Sequence, residues 1–63
     1  VKYTLINNCD MLKFTLEVEE KLAEGWSLHG DPIVVNEADN FLDGGEPAVE
    51  YTTWYYQAMT KQN

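Results

Sequence analysis

The sequence predicts a small α+β domain of order β-α-β-β, a three-stranded mixed sheet with one helix packed on one face. Three observations carry this reading. Val1, Tyr3 and Leu5 alternate with Lys2 and Thr4 at the strand period. From Met11 to Glu24 the apolar residues recur at helical steps. From Ala48 to Thr60 the alternation returns, rich in β-branched and aromatic residues. Residues 1–63 read as one domain, without a repeat or an internal boundary.

Asn7 and Asn8 break the first strand, and Asp10 is placed to cap a helix and to meet the positive end of its dipole. Met11, Phe14, Val18 and Leu22 form the expected core stripe, with Thr15 among them and Leu12, Leu16 and Ala23 beside them. The combined arc spans roughly 200°, wider than the ~100° that covers one core. Glu19 falls inside it. Lys13, Glu17, Glu20, Lys21 and Glu24 make the expected wet face, with Glu17 and Lys21 spaced to pair. Gly25 stands where a helix ends in a left-handed residue.

Trp26 to Leu28 opens the second strand. Gly30-Asp31-Pro32 interrupts it as a bulge or kink, and Ile33, Val34 and Val35 continue it. These three are continuous rather than alternating, which predicts cover on both faces. Asn36 to Pro47 reads as a long acidic loop around Gly44-Gly45, the segment expected to be mobile or functional. In the last strand Val49, Tyr51, Thr53, Tyr55, Gln57 and Met59 point one way. Ala48, Glu50, Thr52, Trp54, Tyr56, Ala58 and Thr60 point the other. Small Ala58 points to the Trp54–Tyr56 face as the one that meets the helix. A right-handed crossover would lay the second strand parallel to the first, with the third returning antiparallel. Lys61, Gln62 and Asn63 are expected to fray.

Composition narrows the function. The chain has 4 basic and 11 acidic side chains, no Arg, and a net charge of −7. Nucleic-acid binding rests on Lys and Arg neutralising phosphates, so the balance argues against it and against anionic membrane surfaces. No stretch is long and apolar enough to span a membrane, and no basic-then-apolar leader is visible. One cysteine, Cys9, cannot form an internal disulfide and fits a reducing, cytoplasmic setting. A domain near 60 residues buries only ~60% of the surface its unfolded chain exposes. With neither a disulfide nor a zinc set to help, association is the remedy left. Eight aromatic residues are more than so thin a shell hides. Both faces of the last strand are apolar and one helix covers one face, so a second copy is expected on the other.

No constellation for catalysis stands out. Asp39, Asp43, Gly44 and Glu50 fall at calcium-loop positions, but Phe41 occupies an oxygen position and a strand follows, so a solvated acidic segment is expected. His29 has no companion base or nucleophile; Asp31 is its nearest charged neighbour in sequence. Cys9 has no adjacent base and is expected as a small, at least half-buried side chain. No metal and no cofactor are expected. Trp54, Tyr55, Tyr56 and Gln57 form the densest recognition patch, since large amphipathic aromatics are enriched at interface hot spots. Trp26 and His29 join them as candidate ligand or interface residues.

Lys2-Tyr3, the run Leu22 through Trp26, Gly30, and Tyr55 through Met59 together resemble the small bacterial and phage proteins grouped as domain of unknown function 1737. The resemblance covers nearly the whole chain. It implies an N-terminal Lys-Tyr strand, a helix ending in Ala-Glu-Gly-Trp and a closing Tyr-Gln-Ala-Met strand. The segment Asn36–Pro47 is longer than the resemblance implies. Neither motif is catalytic in kind, and the family brings no activity.

The expected function is therefore a non-enzymatic, self-associating protein-interaction module, a dimer or larger, whose surface engages another protein. The alternative is a small-ligand binder with sites between subunits, for example a phage protein that sequesters a nucleotide. That link is by architecture alone.

Overall fold

The computed structural model describes residues Val1–Gln62; Asn63, expected to fray, lies outside the described residues. The elements are β1 (Lys2–Asn8), α1 (Met11–Ala23), β2 (Ser27–Leu28), β3 (Ile33–Asp43) and β4 (Glu46–Lys61). Lys61, expected to fray, is the last residue of β4.

The ends of α1 follow from the sequence. Asp10 has extended backbone, and its Oδ1 accepts the Lys13 N–H at 3.1 Å. Asn8 holds the cap in turn, its Oδ1 accepting the Asp10 N–H at 2.9 Å. At the other end Trp26 N–H donates to Lys21 O at 2.9 Å and Gly25 N–H to Leu22 O at 3.1 Å. That pair of bonds is the Schellman pattern, and it requires the positive φ of +94° that Gly25 supplies.

The sheet has four antiparallel strands, where three in a mixed sheet were expected. β4 is central. β1 pairs along its C-terminal half, from Lys2 opposite Lys61 to Asn8 opposite Tyr55. On the other side β2 sets Leu28 opposite Met59, and β3 runs from Ile33 opposite Tyr56 to Asp43 opposite Glu46. Thus β1, β2 and β3 share one direction, as the crossover predicts. The returning strand inserts between β1 and the others, so no two parallel strands touch. Gly30-Asp31-Pro32 forms the expected interruption. Four residues, His29 to Pro32, lie opposite two, Gln57 and Ala58, and separate β2 from β3.

The largest correction concerns Asn36–Pro47. It is not a loop. β3 continues to Asp43 and turns back through Gly44-Gly45, whose φ values are +60° and +86°. Positive φ at both central positions is what a tight two-residue hairpin turn demands. The hairpin runs far past β1 and α1 as an arm. The molecule measures 54 × 18 × 15 Å, with a radius of gyration of 15.9 Å; a compact domain of this length has about 11 Å.

Helix cover is the second correction. Residues opposite each other in an antiparallel pair share a face. Ile6 lies opposite Gln57, and Ile6, Gln57 and Met59 are the buried residues. The Phe14 ring lies 5.7 Å from that of Tyr55. So α1 covers the Tyr55–Gln57–Met59 face, not the Trp54–Tyr56 face that Ala58 favoured. Beneath the helix the space is filled by the flexible Met59 and the hydrogen-bonded Gln57.

Candidate functional site

The structure splits the six sequence-predicted residues between two faces. Gln57 is buried under α1. Its Nε2 donates to Gly30 O at 3.1 Å and to Ala58 O at 2.8 Å. Gln57 therefore ties the interruption between β2 and β3 to the central strand, a structural role. Tyr55 lies half-buried beside it. Trp26 sits half-buried at the end of α1, with Lys21 Nζ 5.5 Å from the centre of its ring.

Trp54 and Tyr56 lie on the helix-free face, half-buried between strands, with Val35 and Ile33 directly across from them. His29 joins that face from the end of β2. Its N–H donates to Ala58 O at 2.9 Å, and its ring meets Tyr3 edge-on at 6.1 Å. Tyr3 and Leu5 extend the patch across β1 and are more than half exposed. No single cleft brings His29 and Trp54 together with Trp26 and Gln57.

Two further apolar surfaces lie outside those six residues: the wide helix arc, which the sequence already marks as broader than one core needs, and one that was not predicted. The first belongs to α1. Its half-buried residues are Phe14, Glu17, Val18 and Lys21. The helix thus rests on the sheet by one margin of its apolar arc. Leu12 and Leu16 lie opposite the half-buried side, Met11 and Leu22 lie at its flank, and all four are exposed. This corrects two expectations. Met11 and Leu22 are not core, and Glu17 and Lys21 are not the wet face. Asn8 accounts for part of the rotation, since its Nδ2 donates to Glu17 Oε1 at 3.1 Å. Lys21 pairs with Glu24 at 3.6 Å rather than with Glu17.

The second surface is the arm. Beyond α1 the helix-side face carries Val34, Ala38, Leu42, Pro47, Val49 and Tyr51, interrupted by the polar Asn36, Asn40 and Thr53, with no charge among them. Leu42 and Tyr51 are each 72% exposed. The opposite face carries Glu37, Asp39, Asp43, Glu46 and Glu50. Asp39 lies directly opposite Glu50, and Asp43 opposite Glu46. All four lysines lie outside the arm. The sequence signal was present: through Val34–Asp43 all the charged residues occupy one parity, with Val35 and Phe41 among them, and none occupies the other. The expected cover over Ile33, Val34 and Val35 is absent, and all three are exposed.

A shallow hollow of about 340 Å³ at the arm tip is lined by Asn40, Phe41, Leu42, Pro47, Ala48 and Val49, none of them titratable. The candidate calcium ligands lie on the arm rather than in a loop. Cys9 is exposed, against the expectation of burial, because it lies in the turn between β1 and α1. Among the described residues no group of three or more His, Cys, Asp or Glu is arranged to hold a metal. No helix among them is long and apolar enough to cross a membrane.

The family model described as "Domain of unknown function (DUF1737)" matches residues 1–62 of the chain. No curated protein and no solved structure matches it.

Proposed function

This chain belongs to the domain of unknown function 1737 family, and we propose that it is a non-enzymatic, self-associating protein-interaction module. The observation that carries the reading is uncovered apolar area. The accessible surface is 4851 Å², where a compact monomer of this mass has about 4,100 Å². The excess of about 700 Å² is close to what one partner loses in a standard interface, ~800 Å². Large apolar side chains stay exposed on the outer arc of α1 and on the helix-side face of the arm. A second copy covers such surface without any new sequence, and symmetric pairing is the commonest assembly. The helix-free face, with Tyr3, Leu5, Ile33, Val35, Trp54 and Tyr56, then remains for another protein. The small-ligand reading draws less support, because its aromatic candidates are divided between faces.

Light scattering behind a sizing column, across a concentration series, tests the association. A dimer or larger species is expected, with a Tm that rises with protein concentration by mass action. A monomer throughout the series, with a Tm independent of concentration, would refute it.

A further inference from the structure

We propose that two copies interlock, each laying the helix-side face of its arm across the outer arc of the other's α1. The proposal rests on the self-association above and adds its geometry.

The shape of one copy carries the argument. On one side of the sheet, α1 raises half of the face by a layer of about 10 Å. The arm leaves the other half bare. A second copy, turned over about a two-fold axis, brings its raised half onto the bare half of the first. Each helix then lies between its own sheet and the partner's arm.

Lengths agree. The 13 residues of α1 extend about 20 Å at helical rise. The arm beyond the body, residues 36–43 paired with 46–53, extends about 27 Å at strand rise. The chemistry agrees as well. Leu12 and Leu16 lie on the side of α1 opposite the half-buried Phe14, Glu17, Val18 and Lys21. Glu19 lies on that same side at ~100° per residue and is exposed. The arm face that meets them holds Ala38, Leu42, Val49 and Tyr51, with the uncharged polar Asn36, Asn40 and Thr53 and no charge. Its five carboxylates are on the other face and stay in water, where like charges cost least.

Edge-to-edge pairing of two arms fits worse. The outer edge of β3 carries Glu37, Asp39 and Asp43, whose like charges would meet there. β1 covers β4 only from Tyr55 onward, so Glu46 to Trp54 present a free edge. Pro47 offers that edge no N–H, and Glu46 and Glu50 would bring like charges together.

The test uses two cysteines in the full chain, with Cys9→Ser to remove the native thiol. Leu16→Cys and Val49→Cys replace exposed side chains, so folding is retained and is checked by circular dichroism. On mild oxidation the double variant is expected to give a disulfide-linked dimer about tenfold faster than either single variant, because the interlocked contact raises the effective concentration of the two thiols. An equimolar mixture of the single variants should give the same product. Leu12→Cys with Tyr51→Cys supplies a second pair. If the protein is a dimer by light scattering but Val49→Cys alone, or Leu16→Cys alone, links as fast as the pair, the interlock is wrong while self-association stands. If light scattering gives a monomer throughout, both fail together.

Discussion

Replacing Met59 with Ala strikes the one large side chain with no solvent exposure among the described residues. Met59 lies between Thr4 of β1 and Leu28 of β2, on the face that α1 covers. Truncating a buried Met to Ala costs about 2–5 kcal/mol, the spread reflecting how far the site collapses. A chain of this length has a total stability of about 3–9 kcal/mol, and so few buried residues place it at the low end. The substitution therefore removes half or more of the stability. In urea, with a slope of about 1 kcal/mol/M for a domain this small, the midpoint should fall by roughly 2 M or the protein should be unfolded without denaturant. Met59→Leu, which conserves volume, should cost less than about 1.5 kcal/mol. Trp fluorescence and circular dichroism follow the transition, at fixed protein concentration. A loss below about 0.5 kcal/mol for Met59→Ala, within the range of an ordinary surface change, would refute the placement of the core beneath α1.

Gln57→Leu removes the donor to Gly30 O and Ala58 O and should cost about 1–3 kcal/mol; an unchanged urea midpoint would show that the bonds carry nothing. Gly45→Val forces a β-branched residue to a φ of +86° and should cost about 1–2 kcal/mol, with faster amide exchange along the arm than in the parent. Asp39→Lys turns a like-charged pair with Glu50 into an opposite one and should stabilise by about 0.3 kcal/mol. That gain should shrink as salt is added, and a gain that is the same at high and low salt would exclude the electrostatic cause.

The elements themselves were legible because each has a local signature. Asp10, Gly25 and the Gly30-Asp31-Pro32 interruption act within a few residues, and all three do what their chemistry requires. The arm was missed because its polar residues, Asn36, Asn40 and the carboxylates, outweigh the alternation they sit in. A strand with neither face covered has no reason to be apolar on both, so composition imitates a loop. The sheet order was missed for a different reason. Local pattern gives a strand's direction after a crossover but not which neighbour it keeps, and a central β4 of 16 residues offers two edges. The helix face was misjudged by its hydrophobicity. The arc is centred away from the sheet, and Glu17 is drawn inward by a hydrogen bond from Asn8.

That misjudged helix face and the missed arm have a common cause, which bears on assembly. If α1 had only its own sheet to satisfy, its apolar arc would centre on the half-buried Phe14 and Val18, with Glu17 and Lys21 outside it. If the arm served only as a solvated hairpin, both of its faces would be polar. Instead each element carries apolar residues on a side its own chain cannot cover; the arm's carboxylates lie on its other face, and Glu19 is the charge within the outer arc of α1. The same division limits how copies can meet. Acidic side chains and Pro47 make the arm's edges poor templates for strand addition, the route to open-ended stacking. The apolar arc of α1 and the uncharged face of the arm remain for packing, and a two-fold contact through them closes on itself. An outward-facing charge at the centre of that contact should therefore act on assembly and spare the fold. Tyr51→Lys changes a residue that is 72% exposed and should leave a monomer's stability within about 0.5 kcal/mol, while weakening association by tenfold or more through a buried unpaired charge. Equal association of the variant and the parent, measured by light scattering, would mean that the arm takes no part in it.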